Sequence, residues 1–333
     1  MSPRTCPVLA LSLLAACAAA PAGRGPSAAG PATVCVRLVD GSEREGLLQD
    51  ESLRVRVGAA VRVLPVHEVR SVHLAAATSV HEAEVLASGL QALAASSGKQ
   101  VEAATEALVD LGLPVLSPLL DSYQDTDAHE PDPRYRLYER ILPVGADALD
   151  RTLDLVRLAD GTALRGHLLT EELHLRTGAG ALVAVPLATI RRIAVRQAEV
   201  VRAFELQALH DCTYVGFVDT GLVVKPTSSL RAECDGFVRL SFAEDGWATG
   251  PDGLLDTLPG KRKLQEGFRW GAVLGRVGAG GERWFVGSHC ERAGLGEGRL
   301  YFVINDNEHW QNNIGSYRVR LRVADVYDIG DPR

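Results

Sequence analysis

The sequence predicts a mainly β protein with a helical insert. Three observations carry that expectation. Residues 36–72 and 156–193 repeat one alternating pattern punctuated by Asp-Gly. Between them the apolar period changes to that of helices. From Cys212 onward, short alternating runs are separated by Gly-rich turns. The expected order is a leader over 1–16, a tether over 17–33, a β-repeat over 34–74 and a helical segment over 80–150. A second β-repeat over 154–197 follows, then a linker over 198–211, a jelly-roll-like β-sandwich over 212–326 and a tail over 327–333.

At the N-terminus, Arg4 is the one charge before the apolar run Val8–Ala16. That run is too short to span a bilayer and has the shape of a secretory h-region. It ends in Leu14-Ala15-Ala16-Cys17, which resembles the lipobox of bacterial lipoproteins. The resemblance implies a signal peptide over 1–16 and lipid on Cys17, hence a membrane anchor and a place in the cell envelope. Ala18 rather than Asp follows the cysteine, which by the same resemblance favours the outer membrane. The alternative is an ordinary signal peptide cleaved within Ala18–Ala22. Residues 18–31 are Ala, Pro, Gly and Ser with one Arg, a composition that buries no core and reads as a flexible tether.

Setting aside Cys6 and Cys17, four of the six cysteines remain: Cys35, Cys212, Cys234 and Cys290. They allow three disulfide pairings, between which sequence does not choose. None lies in a C-x-x-C pair, which argues against structural zinc and thioredoxin-like chemistry. A net charge of −7 and a pI near 5.8 give no basic footprint for nucleic acid.

The first β-repeat reads VRLVDGSEREGLLQDESLRVRVGAAVRVLPVHEVRSV, and the second VRLADGTALRGHLLTEELHLRTGAGALVAVPLATIRRI. Asp40-Gly41 matches Asp160-Gly161, Gly46 matches Gly166, Leu53 matches Leu173, and Pro65 matches Pro186 after a one-residue insertion. Asp-Gly signals a two-residue hairpin, so each copy should form about five short antiparallel strands, close to a small SH3-like or Sm-like barrel. One such unit has a marginal core, so the copies should pack on each other or on the helices between them. Acidic and basic residues are near balance in both, and the electrostatic term that dominates nucleic-acid binding is missing.

Between the copies, Leu86, Leu90 and Leu93 lie on one face of a helix over about 80–96, and Val101, Leu108 and Leu111 on a second over about 99–111. Shorter helices are expected over 114–123 and 134–142. The run ALVDLGLPVLSPLL (107–120) resembles one HEAT-type helical hairpin. The acidic loop 125–132 reads as a solvated connector, with cation binding as its alternative.

In the C-terminal part, Gly275–Gly281 superficially suggests a phosphate loop. It lacks the following helix and the Lys-Ser/Thr ending, and reads as a hairpin. The most informative stretch is Asn305-Asp306-Asn307-Glu308-His309-Trp310-Gln311-Asn312-Asn313-Ile314-Gly315-Ser316-Tyr317, set between the apolar run 300–304 and the alternating run 317–323. Calcium takes six to eight oxygens from carboxylates, Asn carbonyls and backbone carbonyls, and this loop offers all three. The alternative is a polar hairpin loop in which Asn, Asp and Gly serve as turn residues.

Asp219-Thr220-Gly221-Leu222, Gly246-Trp247, the run 271–278, Asn305-Asp306 and Asn312-Asn313-Ile314-Gly315-Ser316-Tyr317, in that order, resemble the calcium-dependent galactophilic lectins of the PA-I type. The resemblance covers roughly 212–326 and implies a β-sandwich whose calcium ion also touches two sugar hydroxyls. Carried over, Asp306 is the carboxylate ligand, Asn312 and Asn313 are carboxamide ligands, and the backbone carbonyls of Trp310 and Thr249 complete the set. His309 and Trp310 would offer a stacking surface for a sugar ring. Two departures are visible. The spacing from Asp306 to the first Asn of the pair is one residue shorter than in the lectins. Their sugar-contacting His-Pro-x-Gln is replaced by Lys261-Arg262-Lys263-Leu264-Gln265-Glu266, where Gln265 is the one echo.

The sequence thus points to a non-catalytic envelope lipoprotein that binds carbohydrate through calcium. No H-E-x-x-H, G-x-S-x-G or spaced metal triad is present. Two other classes stay open: a structural or protein-interaction lipoprotein with a degenerate lectin fold, and an accessory hydrolase using His210-Asp211 or the 125–132 loop.

Overall fold

Two copies of one alternating sequence exchange strands in this chain rather than folding separately. The structure, a computed structural model, describes residues 31–75, 80–95, 104–105, 107–108, 111, 115, 137, 153–209, 211–212, 216–240, 247–254, 267–278, 280–306 and 313–330. Cys17, the leader and the 125–132 loop lie outside them, as does all of the tether before Pro31. The first copy forms β1 (Thr33–Leu38), β2 (Glu43–Leu48), β3 (Ser52–Val57), β4 (Ala60–Pro65) and β5 (Val69–His73). The second forms β6 (Asp154–Leu158), β7 (Ala163–Leu168), β8 (Glu172–Arg176), β9 (Leu182–Pro186) and β10 (Ile190–Gln207).

The pairings run antiparallel in the order β9–β8–β2–β1–β10–β5–β6–β7–β3–β4. Strand 2 of each copy therefore pairs with strand 3 of the other, and strand 1 of each pairs with strand 5 of the other. The expectation of a self-contained barrel per copy is corrected accordingly. The cause lies in the connections. Gln49 N–H donates to His174 O and Leu169 N–H to Arg54 O, both at 2.8 Å, so each chain runs on to the other copy instead of folding back. One core results, with Val34, Val36, Leu53, Val55, Val72, Val156, Leu173, Leu175 and Ile193 all at most 1–2 % exposed. Sharing a core resolves the marginal stability of a unit of about 40 residues.

The Asp-Gly hairpins also differ from the two-residue form expected. Leu38 N–H donates to Ser42 O and Gly41 N–H to Leu38 O, with Gly41 at φ 81°; Leu158, Thr162 and Gly161 (φ 91°) repeat this. That is a three-residue connection with a left-handed Gly. Asp40 and Asp160 accept from the N–H groups of Ser42 and Thr162, at 2.9 and 2.8 Å.

The insert begins with α1 (Val80–Ala95), within the expected 80–96. Leu93 is buried with Ala104, Leu108, Leu111, Val115 and Leu137, and Leu86 and Leu90 pack against them. Gly89 is small because a Cβ there would meet Leu108 Cδ2 at 2.8 Å. The insert is rooted at Asp154, whose carboxylate accepts from Ala75 N–H at 2.8 Å and Leu168 N–H at 2.6 Å.

The C-terminal part is all β among the described residues: β11 (Val218–Arg239), β12 (Ala248–Thr249), β13 (Val273–Val277), β14 (Trp284–Phe285), β15 (His289–Ala293), β16 (Gly298–Ile304) and β17 (Ile314–Asp328). Two predicted boundaries move. The linker expected over 198–211 is largely strand: β10 continues to Gln207 and pairs with β17 from Arg196↔Tyr327 to Gln207↔Ser316. Val200, Phe204 and Leu206 face inward at even positions, with Val200 at 4 % and Leu206 at 0 % exposure, while Val201 on the other face is 65 % exposed. The tail expected from 327 is buried at its start, since Tyr327, Asp328 and Ile329 are 1, 3 and 6 % exposed. β11 pairs with β16 along its first half and with β15 along its second, shifting register against β17 between Val224 and Ser229. Leu230, Ala232 and Val238 of β11, Val319 and Leu321 of β17, and Leu300, Phe302 and Ile304 of β16 fill its core.

Ion pairs cross from the repeats to this part. Asp328 receives Arg202 at 2.8 Å and Arg70 at 3.3 Å, and Lys225 reaches Glu45 at 2.9 Å. Pro31–Arg333 accordingly form one compact unit. No helix among the described residues is long and apolar enough to cross a membrane.

Candidate functional site

β16 delivers Asn305 and Asp306 to the end of its sheet, and β17 departs from the same end at Asn313-Ile314. Asn305 is fully buried and fastens the neighbouring turn: its N–H donates to Ala272 O at 2.8 Å, its carbonyl accepts from Gly271 N–H at 2.8 Å, and Nδ2 donates to Arg269 O at 3.0 Å. Asp306 and Asn313 are 3 and 2 % exposed. Asn313 Nδ2 donates to Asp306 Oδ2 and, at 3.1 Å, to Ala208 O. The carboxamide nitrogen thus faces both the Asp306 carboxylate and the end of β10.

Thr249 lies on the adjoining strand, where β12 pairs with the end of β11 as Val238↔Thr249. Tyr317 holds that strand in place. Its hydroxyl lies 3.1 Å from Thr249 O, 2.9 Å from Gly250 O and 2.9 Å from Gly271 O, and donates its one proton within this group. Burial pushes the Tyr317 phenol well above its ordinary range, with Cys234 and Asp252 adding to the shift, so it remains a donor. Gly271, at φ 75°, is required by the same contact, because a Cβ there would meet Thr249 Cγ2 at 2.3 Å. Gly315 of the Asn-Asn-x-Gly-Ser phrase has φ 93°, and a Cβ there would meet Phe237 O at 2.5 Å. Trp247 packs on Trp270 beside this group, ring centroids 5.6 Å apart.

Of the residues singled out from sequence, Asp306 and Asn313 are in contact, and Thr249 is held by Tyr317 at the same end of the sheet. His309, Trp310, Asn312 and Gln265 lie outside the described residues, as does His210. Asp211 Oδ2 accepts from Gln207 N–H at 2.7 Å, a local turn bond. Asn305 and Tyr317 are structural supports of the site that sequence reasoning quoted in phrases without giving them a role. Their signal was polarity at positions whose strand alternation points inward.

The donor set suits an oxygen-seeking cation: one buried carboxylate, a carboxamide oxygen, and carbonyls with a second lone pair beyond the Tyr317 bond. Among the described residues no group of three or more His, Cys, Asp or Glu side chains comes together. No disulfide joins Cys35, Cys212, Cys234 and Cys290 to one another, and burial pushes the Cys35 and Cys234 thiols up to about 12.

No family model matches the chain. No curated protein matches it either. Among solved structures, the N-terminal domain of EclA, a PllA-like lectin, is similar to 37 % of this chain over 96 % of that domain, with a TM-score of 0.29 and 20 % sequence identity.

Proposed function

We propose that residues 212–326 form a lectin-like β-sandwich that binds carbohydrate through a calcium ion, on a non-catalytic lipoprotein of the cell envelope. The observation that carries this reading is the buried contact of Asp306 with Asn313, with Thr249 and Gly250 held nearby by Tyr317. Asp306 would supply the charge, Asn313 and Asn312 carboxamide oxygens, and Thr249 and Trp310 backbone carbonyls. A cation held by few charges keeps positions open for vicinal hydroxyls. His309, Trp310 and Gln265 would contact the sugar. With one firm carboxylate, calcium should bind weakly, with Kd on the order of 10⁻⁴–10⁻³ M. Lipid on Cys17 would tether the chain to the membrane, and no part of the reading calls for nucleic acid.

The test is a melting curve of the protein in millimolar calcium and in chelator, followed by a glycan array under both conditions. Calcium should raise the melting temperature, and Asp306→Ala should abolish the rise. An unchanged curve would reject the calcium site and leave a structural or protein-interaction role.

A further inference from the structure

The strand order of the shared sheet leaves one free edge in each copy of the repeat. Among the described residues β4 pairs only with β3 and β9 only with β8, and the two are the same strand of the two copies. Hydrogen bonds in an antiparallel ladder fall on alternate pairs. Thr177 N–H donates to Ala181 O at 2.9 Å and Leu187 N–H to Glu171 O at 2.8 Å, so it is Val183 and Val185 that bond β8. The N–H and C=O groups of Leu182 and Ala184 therefore point away from β8, out of the sheet edge. Both residues are exposed, Leu182 at 60 %. By the same count from Val66 N–H, which donates to Glu51 O at 3.1 Å, Val61 and Val63 present the outward groups of β4.

The two edges differ in charge. Natural sheets keep free edges from pairing by placing charged residues on them. β4 follows that rule: Arg62 stands in its middle, and Arg56 and Arg54 lie opposite Val61 and Val63 on β3. In the second copy Val183 takes the place of Arg62, and residues 177–189 contain no charged or histidine side chain. An antiparallel pair of two β9 strands about Val183 is self-complementary. It sets Leu182 of each against Ala184 of the other, large beside small, and joins the outward N–H groups of each strand to the outward C=O groups of the other. Pro186, which has no N–H to offer, falls beyond the paired residues. The same arrangement of β4 would bring two Arg62 side chains face to face, which is unfavourable.

We propose that β9 is a self-association edge, which pairs antiparallel with β9 of a second copy of this chain about a two-fold axis at Val183. The outward backbone groups of a free edge are satisfied by another extended strand. The uncharged, self-complementary sequence of β9 selects a second copy among such strands. A two-fold pair of this kind is closed, so association stops at the dimer, and the guarded β4 edge does not extend it. The interface is one short strand wide and therefore weak. The proposal is independent of the carbohydrate reading.

The experiment is sedimentation velocity on the full chain from about 1 to 500 µM, the range of a weak association, with melting curves to check that each variant is folded. The wild type should pass from monomer to dimer as its concentration rises. Val183→Arg should weaken the dimer about tenfold or more, because like charges then meet at a non-hydrogen-bonded pair, where side chains are closest. The fold accommodates Arg at this position, since Arg62 is its equivalent in the first copy. Arg62→Val should carry association beyond the dimer by opening β4 in the same way. In the wild type, amide exchange at Leu182 and Ala184 should slow with concentration, while exchange at Val61 and Val63 should not. A monomer at every concentration would overturn the proposal. So would a dimer that Val183→Arg leaves intact, or Leu182 and Ala184 amides whose exchange ignores concentration.

Discussion

Val72 and Ile193 face each other across β5 and β10, and they are the same position in the two copies of the repeat. An internal two-fold axis therefore passes between them. It relates the pair Val36↔Ile193 to Val156↔Val72, and Leu48↔Leu175 to Leu168↔Val55. The arrangement is that of a swapped dimer written into one chain, and several residue choices follow from it.

Gly46 and Gly166 are related by this axis and sit where strand 2 crosses strand 3 of the other copy. A Cβ at Gly166 would lie 2.1 Å from Arg56 O, and one at Gly46 would lie 2.9 Å from Arg176 O. Backbone cannot give way as a side-chain tip can. Gly166→Ala should cost about 3 kcal/mol and Gly46→Ala about 1 kcal/mol, in the range of overpacking. Denaturant midpoints at constant m-value measure both. Equal, small shifts would show that the strands cross less closely.

Asp154 replaces an apolar position: its counterpart in the first copy is Val34. The carboxylate closes the root of the helical insert by bonding Ala75 and Leu168. Asp154→Ala leaves both N–H groups without that acceptor and should destabilise by about 2–4 kcal/mol. Asp154→Asn, which can serve one of them, should recover part of the loss. Proteolysis within the insert should accelerate in the Ala variant, and an unchanged cleavage rate would argue against the clamp.

Asp325 is the one non-glycine residue with positive φ among the described residues, at 60°. Arg196 Nη2 donates to its Oδ2 at 2.6 Å, and the Thr227 hydroxyl bonds the same oxygen. The hydrogen bond from Arg196, then that from Thr227, hold its pKa below the ordinary value. A lowered folded-state pKa contributes stability that is present above the unfolded value, about 3.9, and lost as pH falls from there through the folded value. Asp325→Asn tolerates the backbone and should flatten the acid limb of a stability–pH curve below about pH 4. Asp325→Ala should be less stable than Asn at every pH, because Ala adds backbone strain.

Periodicity made much of this fold legible: the five strands of each copy, the face of α1 carrying Leu86, Leu90 and Leu93, and the inward Leu300, Phe302 and Ile304. Partner choice was not legible. Alternation specifies which face of β2 is buried, yet it is silent on whether β3 or β8 lies beside it, since the copies present the same pattern. Residues 198–207 mix charged and apolar residues in a way that also suits a linker, and their pairing with β17 comes from more than a hundred residues away. At the candidate site, Asp306 and Asn313 stood out by chemistry. Tyr317 was hidden, because a phenol in an alternating run reads as core until its carbonyl partners from two other loops are placed around it.

Gly271 and Thr249 offer a way to probe the site's geometry without a ligand. Gly271→Ala introduces a Cβ at 2.3 Å from Thr249 Cγ2, at a backbone φ of 75°. The steric part should disappear in the background of Thr249→Ser, which lacks that methyl group, while the left-handed strain of about 1–2 kcal/mol should persist. The two substitutions should therefore couple favourably by about 1–3 kcal/mol in a double-mutant cycle read from denaturant midpoints. Tyr317→Phe, which leaves Thr249, Gly250 and Gly271 carbonyls without their donor, should cost about 1–3 kcal/mol by itself. Because Gly271 N–H is held by Asn305 O next to Asp306, the single Gly271→Ala variant should also reduce any calcium-induced rise in melting temperature, and Thr249→Ser should restore it. Additive behaviour in the cycle would mean that Thr249 and Gly271 are not packed against one another, and the support assigned to Tyr317 would fall with it.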